Sequence, residues 1–132
     1  MSDKEQIDIL VTKFFGIFNN KVQQPDWNIL SALCIPEAII IKKTGLIQQV
    51  FNLDTFMQPR KELLSSGTLL QFEEAETGES TNILDNMAQR SSTYQKSGYL
   101  NGESFQGQGS KLFQFIKTAD GWKITALVWE DN

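Results

Sequence analysis

The sequence predicts an α+β domain, and three observations lead there. The first is an amphipathic run near the amino terminus, where Ile7, Leu10, Val11, Phe14, Ile17 and Phe18 recur at helical spacing. The second is the stretch Gly107 to Glu130. Two runs rich in aromatic and β-branched residues flank Thr118-Ala119-Asp120-Gly121 there, the pattern of a β-hairpin with Asp-Gly at its turn. The third is order along the chain. Helical patterns come early and long strand patterns fill the second half, which is the α+β arrangement and not the alternation of βαβ units.

The first helix opens on Ser2-Asp3-Lys4-Glu5, the spacing of a capping box, and should end near Asn19-Asn20. Pro25-Asp26 opens a short second helix with Asp26 as cap and Trp27, Leu30 and Leu33 turned inward, and Pro36 closes it. Ala38 to Lys43 and Leu46 to Phe51 read as a small hairpin across Thr44-Gly45. Asp54 to Ser65 reads as a third helix, capped by Asp54 or restarted at Pro59, because proline is tolerated in a first turn. Strands follow over about Leu69 to Glu79 and about Asn82 to Lys96. A glycine-marked turn region (Gly98, Asn101-Gly102, Gly107, Gly109) leads into the last hairpin. There is no repeat, linker or low-complexity tract, so residues 1–132 are expected to form a single domain.

On the last hairpin, alternation puts Leu112, Gln114 and Ile116 with Ile124, Ala126 and Val128 on one face. Phe113 and Phe115 go with Leu127 and Trp129 on the other. Both faces are mostly apolar, so each should be covered. Helices are expected on one side, and a second subunit on the face of Phe113, Phe115, Leu127 and Trp129.

Composition narrows function by exclusion. Hydrophobic content of 40% and charge of 21% are those of a globular chain, not a disordered one. A net charge of −4 and no basic cluster beyond Lys42-Lys43 and Arg60-Lys61 argue against nucleic acid as a partner. Cys34 is the sole cysteine, so no internal disulfide forms, and its neighbours Leu33 and Ile35 mark it as a small buried hydrophobe. With no histidine, a transition-metal site is not expected, and serine or cysteine nucleophiles lack their usual base. No cofactor is implied. The polar amino terminus has no signal-peptide core and no apolar run approaches membrane length, so a cytoplasmic protein with no membrane contact is expected.

Gly102 to Gly107 spaces two glycines like a phosphate loop, but Gln108 stands where lysine is needed and a strand follows instead of a helix. Glu73, Glu74, Glu76 and Glu79 lack calcium-loop spacing and read as an exposed, edge-protecting face. The pocket candidates are polar residues on strand faces that otherwise look inward. They are Arg90, Ser92 and Tyr94 on one strand, Gln114 between Leu112 and Ile116, and Glu130 continuing the Ile124, Ala126, Val128 face. A buried Arg90 must be paired, and Glu130 is the expected partner unless a bound anion takes that place. Phe14, Phe18, Trp27 and Met57 should line or cap the pocket from the helix side.

The chain resembles the nuclear-transport-factor-2-like, or SnoaL-like, superfamily, and locally its small bacterial members. The resemblance rests on Phe56-Met57-Gln58-Pro59-Arg60, Leu63-Leu64 with Gly67 and Leu69, Phe72-Glu73-Glu74, Met87 to Tyr94, Lys111 to Phe115, Gly121 to Ile124, and Trp129-Glu130-Asp131. It implies a cone-shaped, curved antiparallel sheet with three helices packed in its concavity, a pocket inside the cone, and a homodimer through the outer sheet face. Ketosteroid isomerases of this superfamily carry a base carboxylate on the first strand, where this chain has Lys42. Their helix-one tyrosine falls among Phe14, Phe15 and Phe18, and their acidic oxyanion donor falls near Leu112, so all three roles are vacant. The cyclases and dehydratases lean on a His–Asp pair, which a chain without histidine cannot supply.

The leading expectation is therefore a dimeric protein that binds a small, partly apolar anion, with charge from Arg90 and hydrogen bonds from Tyr94, Ser92 and Gln114. An enzyme doing proton transfer, with Glu130 as general base, is the alternative. A structural or partner-binding domain with a filled cavity is the third reading.

Overall fold

The computed structural model describes residues 1–132. Helix α1 (Asp3–Gly16) starts where expected. The Ser2 hydroxyl accepts from Glu5 N at 3.1 Å while the Glu5 carboxylate accepts from Ser2 N at 3.3 Å, so two orphan amides are satisfied at once. It buries Ile7, Leu10, Val11, Phe14 and Phe15. The short α2 (Asn28–Leu33) buries Leu30 and Leu33. Helix α3 (Leu53–Ser65) is capped by Asn52, not Asp54: Asn52 Oδ1 accepts from Thr55 N and Thr55 Oγ1 accepts from Asn52 N. No restart occurs at Pro59, which lies inside the helix.

Six strands form one sheet: β1 (Cys34–Thr44), β2 (Ile47–Phe51), β3 (Leu69–Leu84), β4 (Met87–Leu100), β5 (Glu103–Thr118) and β6 (Gly121–Asp131), in the order β2-β1-β6-β5-β4-β3. Every pairing is antiparallel except β1 with β6, which run parallel. β3 runs on to Leu84 instead of about Glu79, and β4 is displaced, covering Met87–Leu100 instead of about Asn82 to Lys96. β3 turns back at Asp85-Asn86, with Asp85 at φ 55, and the glycine-marked region tightens to a turn at Asn101-Gly102. Gly109 then falls inside β5 for a steric reason: a Cβ there would overlap the Tyr94 hydroxyl and the Glu130 carbonyl.

The sheet's faces come out opposite to expectation. Phe113, Phe115, Leu127 and Trp129 do not form an outer surface; they lie buried against the helices in the single hydrophobic core. Phe113 meets Phe14 edge-on at 5.4 Å between ring centres and Phe15 at 6.3 Å, so the bulkiest face supplies the deepest packing. A bulge shifts the register between Gln114↔Ala126 and Phe115↔Ile124. It flips the alternation, so Ile124 and Trp122 join the buried face while Ala126 and Val128 stay with the outer one.

Cys34 sits in that core as expected, and burial pushes its thiol up to about 12. Iodoacetamide should therefore leave the native protein unmodified at pH 8 and alkylate it once it is unfolded by denaturant. Rapid native labelling, read by mass spectrometry, would show Cys34 accessible. No helix is long and apolar enough to cross a membrane.

Candidate functional site

Between α3 and the concave sheet face lies a cavity of about 490 Å³, of the size that holds a small organic molecule. Twenty residues line it and twelve are hydrophobic, among them Phe14, Phe18, Phe51, Phe56, Leu127 and Trp129. The charged members are Lys42, Arg60, Lys96 and Lys111 against Glu74 and Asp131. A chain that is acidic overall thus keeps four cations against two carboxylates in its main cavity.

Lys111 is the deepest of these, at 6% exposed. It points inward because it alternates with Phe113 and Phe115 along β5. Its Nζ lies 2.8 Å from Glu74 Oε1 and 4.2 Å from the centre of the Tyr94 ring. Burial pulls its pKa down, and the neighbouring Glu74 carboxylate only partly offsets this. Beside it, the Tyr94 hydroxyl donates a short bond to Asp131, whose other oxygen accepts from Lys96 Nζ at 2.9 Å. Burial pushes the Tyr94 pKa up, and bonding to Asp131 pushes it further. Burial also tends to raise Asp131, but the bonds from Lys96 and Tyr94 outweigh it and hold that carboxyl below its usual value. Tyr94 is therefore a neutral donor and Asp131 an anion at neutral pH.

Arg60 closes the α3 side. Its guanidinium stacks on Phe56 at 4.0 Å from the ring centre, with Trp129 at 5.3 Å and Phe51 at 5.6 Å. One bond goes to its own helix, Nη1 donating to the Phe56 carbonyl at 3.0 Å, and Glu74 and Asp131 act on it across the cavity without direct ion-pair contact. Burial pulls its pKa down to about 10, so it stays charged at neutral pH.

The residues picked out in the sequence scatter. Phe14 and Phe18 line the cavity. Met57 is buried core, and half-buried Trp27 packs on Phe18 at 5.8 Å; neither lines the cavity. Tyr94 lies just beneath it. Arg90 is inward and buried but in a different cluster, and its partner is not Glu130. Its Nη2 meets Glu76 Oε1 at 2.5 Å and its Nη1 meets Asp8 Oδ1 at 2.6 Å, tying α1 to β3 and β4. Ser92 donates to Glu76 at 2.5 Å in the same cluster. Gln114 is exposed on the outer face, in a groove with Met87 and Thr125. Glu130 is also exposed, accepting from Gly45 N at 3.2 Å, so it has neither the pocket position nor the apolar surroundings a general base would need.

The acidic run is where reading from sequence missed most. Glu74 and Glu76 do not protect an edge; they face inward with Phe72 and answer Lys111 and Arg90. The signal was present: Glu76 pairs across from Tyr94, and both lie on faces already marked by inward aromatics. No group of three or more His, Cys, Asp or Glu residues is placed to hold a metal ion.

No family model matches this chain, and no curated protein does. Solved structures do. A protein from Kribbella flavida superposes at TM-score 0.80 with 16% identity, covering 98% of this chain and 90% of that one. A nuclear transport factor 2-like superfamily protein from Salmonella enterica serovar Typhimurium gives 0.78 at 14% identity, with 96% and 89% covered. A nuclear transport factor 2-like protein from Cytophaga hutchinsonii gives 0.76 at 15% identity, with 100% of each chain covered. At these identities the likeness is one of fold, and fold alone does not choose among activities.

Proposed function

We propose that this chain, which has the nuclear-transport-factor-2-like fold, binds a small, partly apolar anion in the cavity under α3. The observation that carries this is the pairing of an aromatic lining with cations in excess, above all an Arg60 stacked on rings and in ion-pair contact with no carboxylate. Arg60 is half-buried, and a guanidinium held on a cavity wall by ring stacking, with no ion-pair partner of its own, is a seat for a carboxylate, sulfonate or phosphate. Phe14 and Phe18 supply apolar contact, Arg60 takes the part expected of Arg90, and Lys96 and Lys42 add to the field.

The test is a titration with 1-anilinonaphthalene-8-sulfonate beside its neutral relative N-phenyl-1-naphthylamine. The anion should bind once per chain and more tightly than the neutral probe. Arg60→Met should weaken the anion about tenfold, the equivalent of about 1.4 kcal/mol, and leave the neutral probe unchanged. Equal binding of both probes would remove the anion preference. Absence of saturable binding would make the cavity wall a packing feature of a structural domain.

A homodimer through the outer sheet face belongs to the same proposal. Leu112, Val128, Ile41 and Val50 lie in register across four strands of that face, and Leu112 and Val50 are 59% and 64% exposed. A contiguous apolar row of this kind is a surface that association would cover.

A further inference from the structure

Lys111 is more deeply buried than the chain's other paired lysines. Lys4, Lys21, Lys96 and Lys117 each sit within 2.9 Å of an exposed or half-buried carboxylate, and Lys123 donates to the Ala32 carbonyl at 2.6 Å. Lys111 is almost wholly buried, and its one charged partner, Glu74, is nearly as deep. Glu74 Oε1 lies 2.8 Å from Lys111 Nζ, close enough to exchange a proton with it, and has no other polar partner. The other surroundings of Nζ are rings: Tyr94 at 4.2 Å, Trp129 at 5.2 Å and Phe15 at 5.5 Å. A buried ammonium normally has its protons taken up by acceptors. Here one carboxylate answers the ammonium, and its other surroundings are ring faces and the wall of a cavity.

We propose that Lys111 is a carbonyl-capturing amine, so that the anion bound in this cavity is an aldehyde or ketone that condenses with Lys111 Nζ. This rests on the cavity reading above and gives its ligand a chemical class. Arg60 and Lys111 line the same cavity and lie 5.3 and 5.2 Å from the centre of the Trp129 ring, and the proposed ligand reaches both. Its anionic end sits at Arg60, its carbonyl carbon at Nζ, and its apolar body against Phe14, Phe18 and Phe56. An oxo acid with an aromatic or branched body meets all three conditions.

The protons balance within the pair. Lys111 gives one ammonium proton to Glu74, and the freed amine attacks the carbonyl carbon. The C–N bond forms as the C–O π bond breaks, and Glu74 returns its proton to that oxygen. The resulting carbinolamine nitrogen gives a second proton, through Glu74, to the hydroxyl, which leaves as water. The product is a protonated imine on Lys111, and neither oxidant nor reductant takes part. Burial, which lowers the lysine's pKa, favours the first step, while Asp131 and Lys96 act on it in opposite senses from the same wall.

The experiment uses 4-formylbenzoate as probe, with and without sodium cyanoborohydride. Binding is read by quenching of tryptophan fluorescence, and covalent capture by intact mass and peptide mapping. The expected result is saturable quenching, one reduced adduct per chain, and labelling at Lys111 about tenfold above any other lysine, as for an activated amine. Lys111→Met made together with Glu74→Gln strands no charge. This variant should fold, bind the probe more weakly through Arg60 alone, and lose the adduct. Saturable quenching with Lys111 labelled no more than exposed lysines overturns the imine and leaves the cavity reading standing. An adduct that persists undiminished in the double variant does the same. Absence of saturable quenching in the folded wild-type protein overturns both.

Discussion

Arg90→Met is expected to destabilise the protein by about 3 kcal/mol, measured by denaturant unfolding, because it leaves the largely enclosed Glu76 carboxylate without its cation. The side chain of Arg90 is 3% exposed and that of Glu76 is 19% exposed, and the guanidinium bonds Glu76 through both Nε and Nη2. Burial lowers the pKa of Arg90, but the bonds to Glu76 and Asp8 outweigh it, so the group stays charged in the fold. A double-mutant cycle with Glu76→Gln should return a coupling above about 1 kcal/mol, whereas a cycle with Glu130→Gln should return none. The acid limb carries a second signature. Burial raises Asp8, yet the bonds from Lys4 and Arg90 more than offset this, so its folded pKa lies below 3.8. Such a group contributes stability above about pH 4 that is lost as pH falls through the folded value. Arg90→Met should flatten that acid-side slope. A loss under about 1 kcal/mol, with the slope intact, would show that the cluster is not what ties α1 to the sheet.

Phe115→Asp is expected to abolish folding. Phe115 is 1% exposed and stacks on Phe113 with 5.7 Å between ring centres, so the substitution buries a carboxylate in apolar surroundings and removes an aromatic ring. Loss of a buried Phe alone costs about 3–5 kcal/mol, and an unpaired buried charge adds several more, against a total stability of about 5–15 kcal/mol. Leu112→Asp, three residues away on the opposite face, is the contrasting experiment. It should leave circular dichroism and unfolding midpoint close to wild type while reducing dimer in native mass spectrometry and sedimentation. A folded Phe115→Asp protein would mean the inner face is not core. A Leu112→Asp protein that remains fully dimeric would remove the outer face as the association surface.

Reading in one dimension determined a good deal here. The capping box at Ser2-Glu5, the apolar stripe of α1 and the Asp120-Gly121 turn are local patterns, and local patterns are what a chain states about itself. So the α+β class, the helix-first order and the final hairpin were legible from the residues, and the arrangement of three helices against a curved sheet from the family likeness. The cap of α3 is a local pattern too: Asn52 and Thr55 have capping-box spacing, and Asp54, the expected cap, lies within the first turn.

Which way each strand face points was decided only in three dimensions. Both faces of the last hairpin are apolar, so alternation alone cannot say which one the helices take. A bulge after Gln114, invisible to a period of two, then moved Ile124 across. That choice of face carried the site with it. Gln114 and Glu130 went outside with Leu112 and Val128, while Lys111, an ordinary lysine in the sequence, went inside with Phe113 and Phe115. Glu74 and Glu76, which read as a solvated acidic run, became the counter-charges that make Lys111 and Arg90 tolerable in the interior. A buried charge is defined by its partner, and these partners lie on separate strands of the sheet. Their meeting is a property of strand register and not of any stretch of the sequence.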